Sequence, residues 1–265
     1  MTLNKGIFNA NLYKGVFDLW FSGLPAAATA PKQEHFKRWF GGASEFDSEC
    51  RMHCQSALHL LGPEKLMLPK FTSYQEDRRT MPRFIDALRQ EIVQRSNETK
   101  AETALSMVLL LDQMPRNIFR DDQALIYGHY DRLARALVRS MLDSSPDGTS
   151  HISQLSQIIS QSEFKHSPAH RTWFMLPLMH SEDLHDHDTL QGIANEMRND
   201  VQEGDEPASN WLDTSMNFEK KHRDIIEKFG RYPHRNLQLG RESTPEESRW
   251  MDEGGDSFGT KTSKA

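Results

Sequence analysis

The chain reads as all-α, and three observations carry that reading. Apolar residues recur at i, i+3 and i+4 in one segment after another, the spacing of a helix with one buried face. Gly, Pro and cap-type residues punctuate these segments, as they do at helix ends. No stretch alternates apolar and polar residues at the spacing of paired strands. The helix-turn-helix rhythm fits an array of antiparallel helix pairs, a solenoid-like stack or a compact bundle.

The elements follow in order. Residues 1–10 carry little pattern. Tyr13, Val16, Phe17, Trp20 and Phe21 make a first amphipathic helix, stopped by Gly23 and Pro25, and Ala26–Ala30 reads as a loop. A helix from Lys32 to Phe40 carries His35, Phe36, Trp39 and Phe40 and ends at Gly41-Gly42. Ser44 caps the next, whose stripe is Phe46, Cys50, Cys54, Ala57, Leu58 and Leu61 before Gly62-Pro63. Residues 63–82, polar and with three prolines, read as a long connection. Helix returns over Pro82–Arg95 with Phe84, Ile85, Leu88 and Ile92 on one face. Ser96 or Asn97 caps a helix whose stripe runs Ala101, Ala104, Leu105, Val108, Leu111 and Asp112, ending before Pro115.

Asp121 starts a long helix through Tyr130, Leu133, Ala134, Leu137 and Met141. Ser144–Ser150 is turn-rich, and Ile152–Ile159 forms a short helix. Ser167-Pro168 supplies a cap and a first-position proline for a helix with Trp173, Phe174, Leu176, Leu178 and Met179, kinked at Pro177. The stretch 185–206 is acidic and weakly helical. A long helix spans Ala208–Phe229. Thr244-Pro245-Glu246-Glu247 is a capping box opening a last short helix. Residues 253–265 read as a tail, disordered over 259–265, so that residues 1–258 form a single domain.

Composition narrows the function classes. The 265 residues carry a net charge of −6, the sequence pI is about 6.1 and mean hydropathy is −0.70. That balance argues against a nucleic-acid binder, which would show a basic stripe. The longest apolar run, Met107–Leu111, is too short for a bilayer span. Only two cysteines, Cys50 and Cys54, point to a reducing compartment. With no secretory pattern at the start and a Ser263-Lys264-Ala265 end that misses the peroxisomal address, the expected location is the cytosol.

Two polar corners stand out. Phe229–Arg241 packs Arg231, Arg235, Arg241, His234 and Asn236 into one turn after an apolar helix. Asp112–Arg120 likewise presents Arg116-Asn117 and then Arg120 beyond Pro115. Leu109–Arg120 (LLLDQMPRNIFR), Phe174–Leu184 (FMLPLMHSEDL) and His222–Glu247 (HRDIIEKFGRYPHRNLQLGRESTPEE), with the Trp20-Phe21 and Trp39-Phe40 pairs, resemble the domain of unknown function 924 family over about residues 12–258. The resemblance implies a tetratricopeptide-like helical fold with the motif residues on a concave inner pocket. It implies no established reaction. The Pro-rich insertion around 63–82 and the segment around 143–167 depart from the family pattern.

Chemistry converges on these motifs. Asp112 continues an apolar stripe, so its carboxylate points inward and needs a partner; Arg116, four residues on, is placed to supply one. His222 shares a helix face with Phe218, Ile225, Ile226 and Phe229, and His180 follows Trp173 and Leu176 on another, so both imidazoles face inward. His166, His170, His185 and His187 read as surface or loop residues.

His180, His222 and His234, with Asp112 and Glu182, form the candidate acid/base set, imidazole being the natural proton carrier near neutral pH. Arg116, Asn117, Arg120, Trp173, Asp183, Arg231, Arg235, Asn236 and Arg241 form the candidate substrate-binding set, since guanidinium forks match carboxylates and phosphates. The same arginines can instead be neutralised by Asp112, Glu182, Asp183 and Glu246 or Glu247 in a structural lattice. A divalent metal stays open as an alternative, but no HExxH-like signature supports it, and no cofactor is expected. The expected function is metal-independent acid/base catalysis on an anionic or carbonyl-rich small molecule, of isomerase, cyclase, lyase or hydrolase type. The alternative is a helical scaffold that binds an acidic peptide or partner protein. No nucleic acid or membrane partner is expected.

Overall fold

The computed structural model describes residues 2–142 and 154–259, and these contain helices and no strand. The predicted turn at Ser144–Ser150, the start of the helix at Ile152 and nearly all of the tail at 259–265 lie outside the described residues.

One helix organises the fold. α6 (Asn97–Asp112) buries every residue from Thr103 to Asp112. A helix that is apolar all round belongs inside, and each fully buried Leu, Met or Val there contributes about 1.5–3 kcal/mol. Around it pack α1 (Ala10–Trp20), α3 (Ser44–Leu61), α5 (Pro82–Val93), α9 (Asp131–Leu142), α10 (Gln154–Ser160) and α12 (Leu176–Met179). α6 therefore delivers its last residue, Asp112, from the core to the region where the polar corners meet.

Sequence marks most boundaries well. α2 (Gln33–Phe40) ends at Gly41, and α15 (Pro245–Asp252) has the predicted Thr244–Glu247 capping box. Ala43, not Ser44, stands at the cap position of α3, and no side chain caps it. The Pro-rich connection contains α4 (Tyr74–Thr80), capped by the Ser73 hydroxyl.

Pro115 does not end the helical path: it sits in α7 (Met114–Ile118), a short turn that carries Arg116 and Asn117. The predicted long helix from Asp121 is capped by Asp122 instead. It runs as α8 (Gln123–Leu125), a π turn (Ile126–Tyr130) and α9. The 168–179 segment breaks into α11 (Pro168–Arg171), a 3-10 turn (Thr172–Phe174) and α12.

The largest departure lies at 185–206. α13 (Leu184–Asp200) is a regular helix packed on α14 (Glu206–Phe229). Its apolar face is thin, Leu190, Ala194 and Met197, but its first turn buries Asp186 against Arg135 and Arg139 and His187 against Glu219. Ion pairs supply what the sparse stripe lacks. Phe218, expected on the apolar face of α14, is 48% exposed. α14 ends at Gly230, whose φ of 68° is left-handed, the C-terminal geometry that glycine serves best.

No helix among the described residues is long and apolar enough to cross a membrane. Cys50 and Cys54 are free and buried, and burial pushes both thiols up to about 12, far from reactive thiolate.

Candidate functional site

The three motifs meet. α6 ends at Asp112, α12 ends at His180, and the 3-10 turn Pro233–Arg235 brings in the C-terminal corner. Asp112 Oδ1 lies 2.9 Å from His180 Nδ1, and the Gln113 side-chain amide donates to Asp112 Oδ2 at 2.5 Å. Arg116 Nη2 is 2.7 Å from the same His180 Nδ1 and donates to Asp131 Oδ1 at 2.7 Å. Arg235 Nη1 donates to the His180 carbonyl at 2.9 Å and stands 3.7 Å from Asp131 Oδ2. The Arg235 guanidinium is held between the rings of Tyr127 (4.4 Å) and Tyr232 (4.6 Å). Two aspartates, two arginines and one histidine thus form a closed, charge-balanced circuit.

The contacts at His180 Nδ1 have a chemical consequence. An imidazole nitrogen offers one in-plane direction, for a proton or for a lone pair. With Nδ1 protonated it donates to Asp112, and Nε2 of the neutral ring is a proton acceptor. With Nδ1 bare it accepts from Arg116, and Nε2 carries the proton. Asp112 and Arg116 therefore compete over which form the ring takes. The His180 side chain is 16% exposed, and Nε2 makes no hydrogen bond among the described residues.

Burial and the Arg116 charge lower the His180 pKa, against the pull of Asp112, so the ring is predominantly neutral near pH 7. Burial tends to raise Asp112, but His180, Arg116 and the Gln113 hydrogen bond together hold it below its ordinary value. Asp112 accordingly stays ionised.

The other two histidines are more deeply set. His222 Nδ1 donates to the Phe218 carbonyl at 2.8 Å, which leaves a lone pair on Nε2. Burial brings its pKa down to about 3, with His180 and Arg235 adding to the effect. His234 is brought down to about 2 by burial and by Arg235. Neither is a strong base near neutrality, and both rings are neutral there. The His180 and His222 rings are 6.4 Å apart between centroids.

Several predicted residues are committed to the framework. Glu182 takes Arg241 through both oxygens (2.7 and 2.9 Å) and accepts the Tyr232 backbone N–H at 2.8 Å. Arg231 makes a two-pronged pair with Glu247, whose carboxyl is held down at about 2 chiefly by that bond. Arg120 pairs likewise with Asp47 and with the Asn117 side chain. Asn236 donates to Ser243 and Glu247. Asp183 caps α13 and pairs with Arg78 and Arg135. Trp173 is in the core, edge-on to Trp20 (4.9 Å) and Trp39 (4.7 Å).

Two histidines assigned to the surface are wholly buried. His170 lies among Phe17, Phe21 and Phe164. His187 donates from Nε2 to the Ser181 carbonyl (3.0 Å) and meets Glu219 through Nδ1 at 2.9 Å, so a proton lies between ring and carboxyl. That pair braces the 180–183 loop from behind. Asp131 and Tyr127 belong to the circuit although no motif flagged them, and Gln113 does so from within the first motif without having been assigned a role. The signal that could have found Asp131 is its position at the start of a buried helix, where a carboxylate needs a cation.

Buried side-chain atoms without a hydrogen-bond partner among the described residues gather here: Arg116 Nε, Asp131 Oδ2, His234 Nδ1, Arg235 Nε, Asn236 Oδ1 and Arg241 Nε. Each such group costs about 1–3 kcal/mol, and their concentration marks a polar place that the fold leaves partly unsatisfied. Two cavities, of about 370 and 310 Å³, lie elsewhere, one beside Arg78, Arg89 and Arg135 and one beside Leu155, Ile159 and Phe174. Among the described residues no group of three or more His, Cys, Asp or Glu is disposed to hold a metal ion.

The family model described as "Bacterial protein of unknown function (DUF924)" matches residues 16–255. Among solved structures the chain is similar to a protein of unknown function, ATU0120, from Agrobacterium tumefaciens, with 25% identity and a TM-score of 0.55 over 92% of this chain and 99% of that one. No curated protein matches it.

Proposed function

On the premise that the chain belongs to the DUF924 family, whose description names no reaction, we propose that it is a small-molecule enzyme in which His180 moves a proton on a carbonyl-bearing substrate. The observation that carries this reading is the placement of His180 Nδ1 between Asp112 Oδ1 and Arg116 Nη2. A neutral ring held by Asp112 takes a substrate proton at Nε2, and the ionised carboxylate stabilises the imidazolium that results. Returning that proton to a second substrate atom completes a tautomerisation or isomerisation with no change in oxidation state. The guanidinium of Arg116, no longer an acceptable donor to a protonated Nδ1, is left to hydrogen-bond the oxygen on which charge develops.

The pairing of Arg120, Arg231 and Arg241 with Asp47, Glu247 and Glu182 supports this reading over the peptide-binding scaffold, which would want those charges unpaired along an open groove. Each of those three is gripped through both oxygens of one carboxylate, which narrows the arginines of the ligand-binding set to Arg116 and Arg235; His234 joins them from the acid/base set.

Deuterium exchange tests the reading without a known reaction. The purified chain is incubated in D2O with pyruvate, acetoacetate and phenylpyruvate, and loss of the C–H signals beside the carbonyl is followed by NMR. Enzyme-dependent exchange is expected for at least one compound, lost in His180→Gln and reduced in Asp112→Asn. If the wild type exchanges none of them, or His180→Gln keeps full exchange with an unchanged melting temperature, the proton-transfer reading is wrong.

A further inference from the structure

The tail of the chain enters the same site. Gly255, just after α15, lies so close to Trp250 that a Cβ there would stand 2.5 Å from the indole. Only glycine lets the chain fold back over that ring. The turn carries Phe258 onto His222, ring on ring, with centroids 3.6 Å apart and planes 11° from parallel. The edges of the slot are Tyr232 (6.3 Å, 83°) and His234 (5.9 Å, 75°). Phe258 has φ of 47°, the only non-glycine residue in the left-handed region among the described residues. It remains 37% exposed.

A bulky residue adopts that backbone only when its surroundings hold it there, and here they are one stacked face, His222, with Tyr232 and His234 at its edges. The slot is therefore selective for a flat ring and grips it from one side. Its neighbours are polar: His234 Nδ1 and Arg235 Nε have no hydrogen-bond partner among the described residues.

We infer that the substrate is a planar aromatic or heteroaromatic compound with a short anionic arm, its ring taking the place of Phe258 on His222 and its anion lying against Arg235. This rests on the function proposed above and names its substrate class. The 6.4 Å between the His222 and His180 rings leaves room for an arm of two or three carbons, whose carbonyl-adjacent carbon then faces His180 Nε2. Phe258 competes with the ligand for the slot, so the tail tunes affinity from within.

Binding of benzoate and of cyclohexanecarboxylate to the full chain, followed by NMR titration, tests the inference, because the two differ in flatness and hardly in size. Benzoate is expected to bind more tightly than cyclohexanecarboxylate. Phe258→Ala should tighten benzoate binding by about tenfold with an unchanged melting temperature, and Phe258→Trp should weaken it. His222→Leu should remove the preference for benzoate.

Equal binding of the two acids, no binding of either, or Phe258→Ala leaving benzoate affinity unchanged or lowered would each overturn the inference. None of these outcomes touches His180-dependent deuterium exchange on pyruvate or acetoacetate, so failure of the ring slot and failure of the catalytic reading are distinguishable.

Discussion

Lowering the pH from 7.5 to 5 should cost this protein much of its stability, through histidines buried in neutral form. His170, His222 and His234 have pKa values brought down to about 4, 3 and 2, in each case chiefly by burial. The unfolded chain protonates these rings near 6.5. Between pH 6.5 and the folded values it binds protons that the folded state refuses, so stability is full above pH 7 and falls as the pH drops. At pH 5 each ring contributes a loss of about 2 kcal/mol, about 6 kcal/mol together. A domain is commonly stable by only about 5–15 kcal/mol.

Glu219, whose pKa burial raises, opposes the trend by taking up its own proton in the folded state. Asp112 and Glu182, held low by their cations, add to the loss only at still lower pH. Urea unfolding at half-unit pH steps measures the effect. Near pH 5.5 these three rings should account for uptake of about three protons on unfolding, and His222→Leu should remove about one of the three. His129 and His180, also lowered by burial, add to the slope, and Glu219 subtracts from it. Uptake of fewer than one proton, or an unchanged slope in His222→Leu, would show that these rings are not held neutral by burial.

Glu182→Gln should destabilise the fold by about 3 kcal/mol in urea unfolding, because it strips the charge partner of Arg241 while keeping the side chain's shape; Glu246→Gln, on the exposed side of the last helix, should shift it by less than about 0.5 kcal/mol. Gly255→Ala should drive the tail off Trp250, seen as a changed tryptophan emission and faster proteolysis after residue 252, and should tighten benzoate binding as Phe258→Ala does.

Much of the site was legible because helix periodicity is a strong local signal. Asp112 sat on an apolar stripe and is 1% exposed; Arg116, one turn on, lies 3.6 Å from it. The inward positions of His180 and His222 followed from the same spacing. What stayed hidden depends on partners distant in sequence. Asp186 and His187 look like surface residues until Arg135, Arg139 and Glu219 are seen against them. Glu182 looked catalytic because nothing local shows that Arg241 and a backbone N–H already occupy it. Phe258 lay in a polar, glycine-rich tail with no periodicity to read, and its position is set by the room that Gly255 leaves beside Trp250.

The π turn at 126–130 closes through an Asp131 N–H to Ile126 carbonyl bond, one residue longer than an α-helical turn. That surplus residue rotates everything after it by about 100° relative to everything before. Tyr127, early in the turn, and Asp131, just after it, can then both address Arg235. The site is thereby written partly in chain length. Substitutions in this helix can be absorbed one side chain at a time, but loss of a single codon within the turn would restore an ordinary helix, swing Asp131 away from both arginines and erase the circuit without breaking the rod. In this family, gaps in that stretch are the changes that should separate members that keep the chemistry from members that keep only the shape.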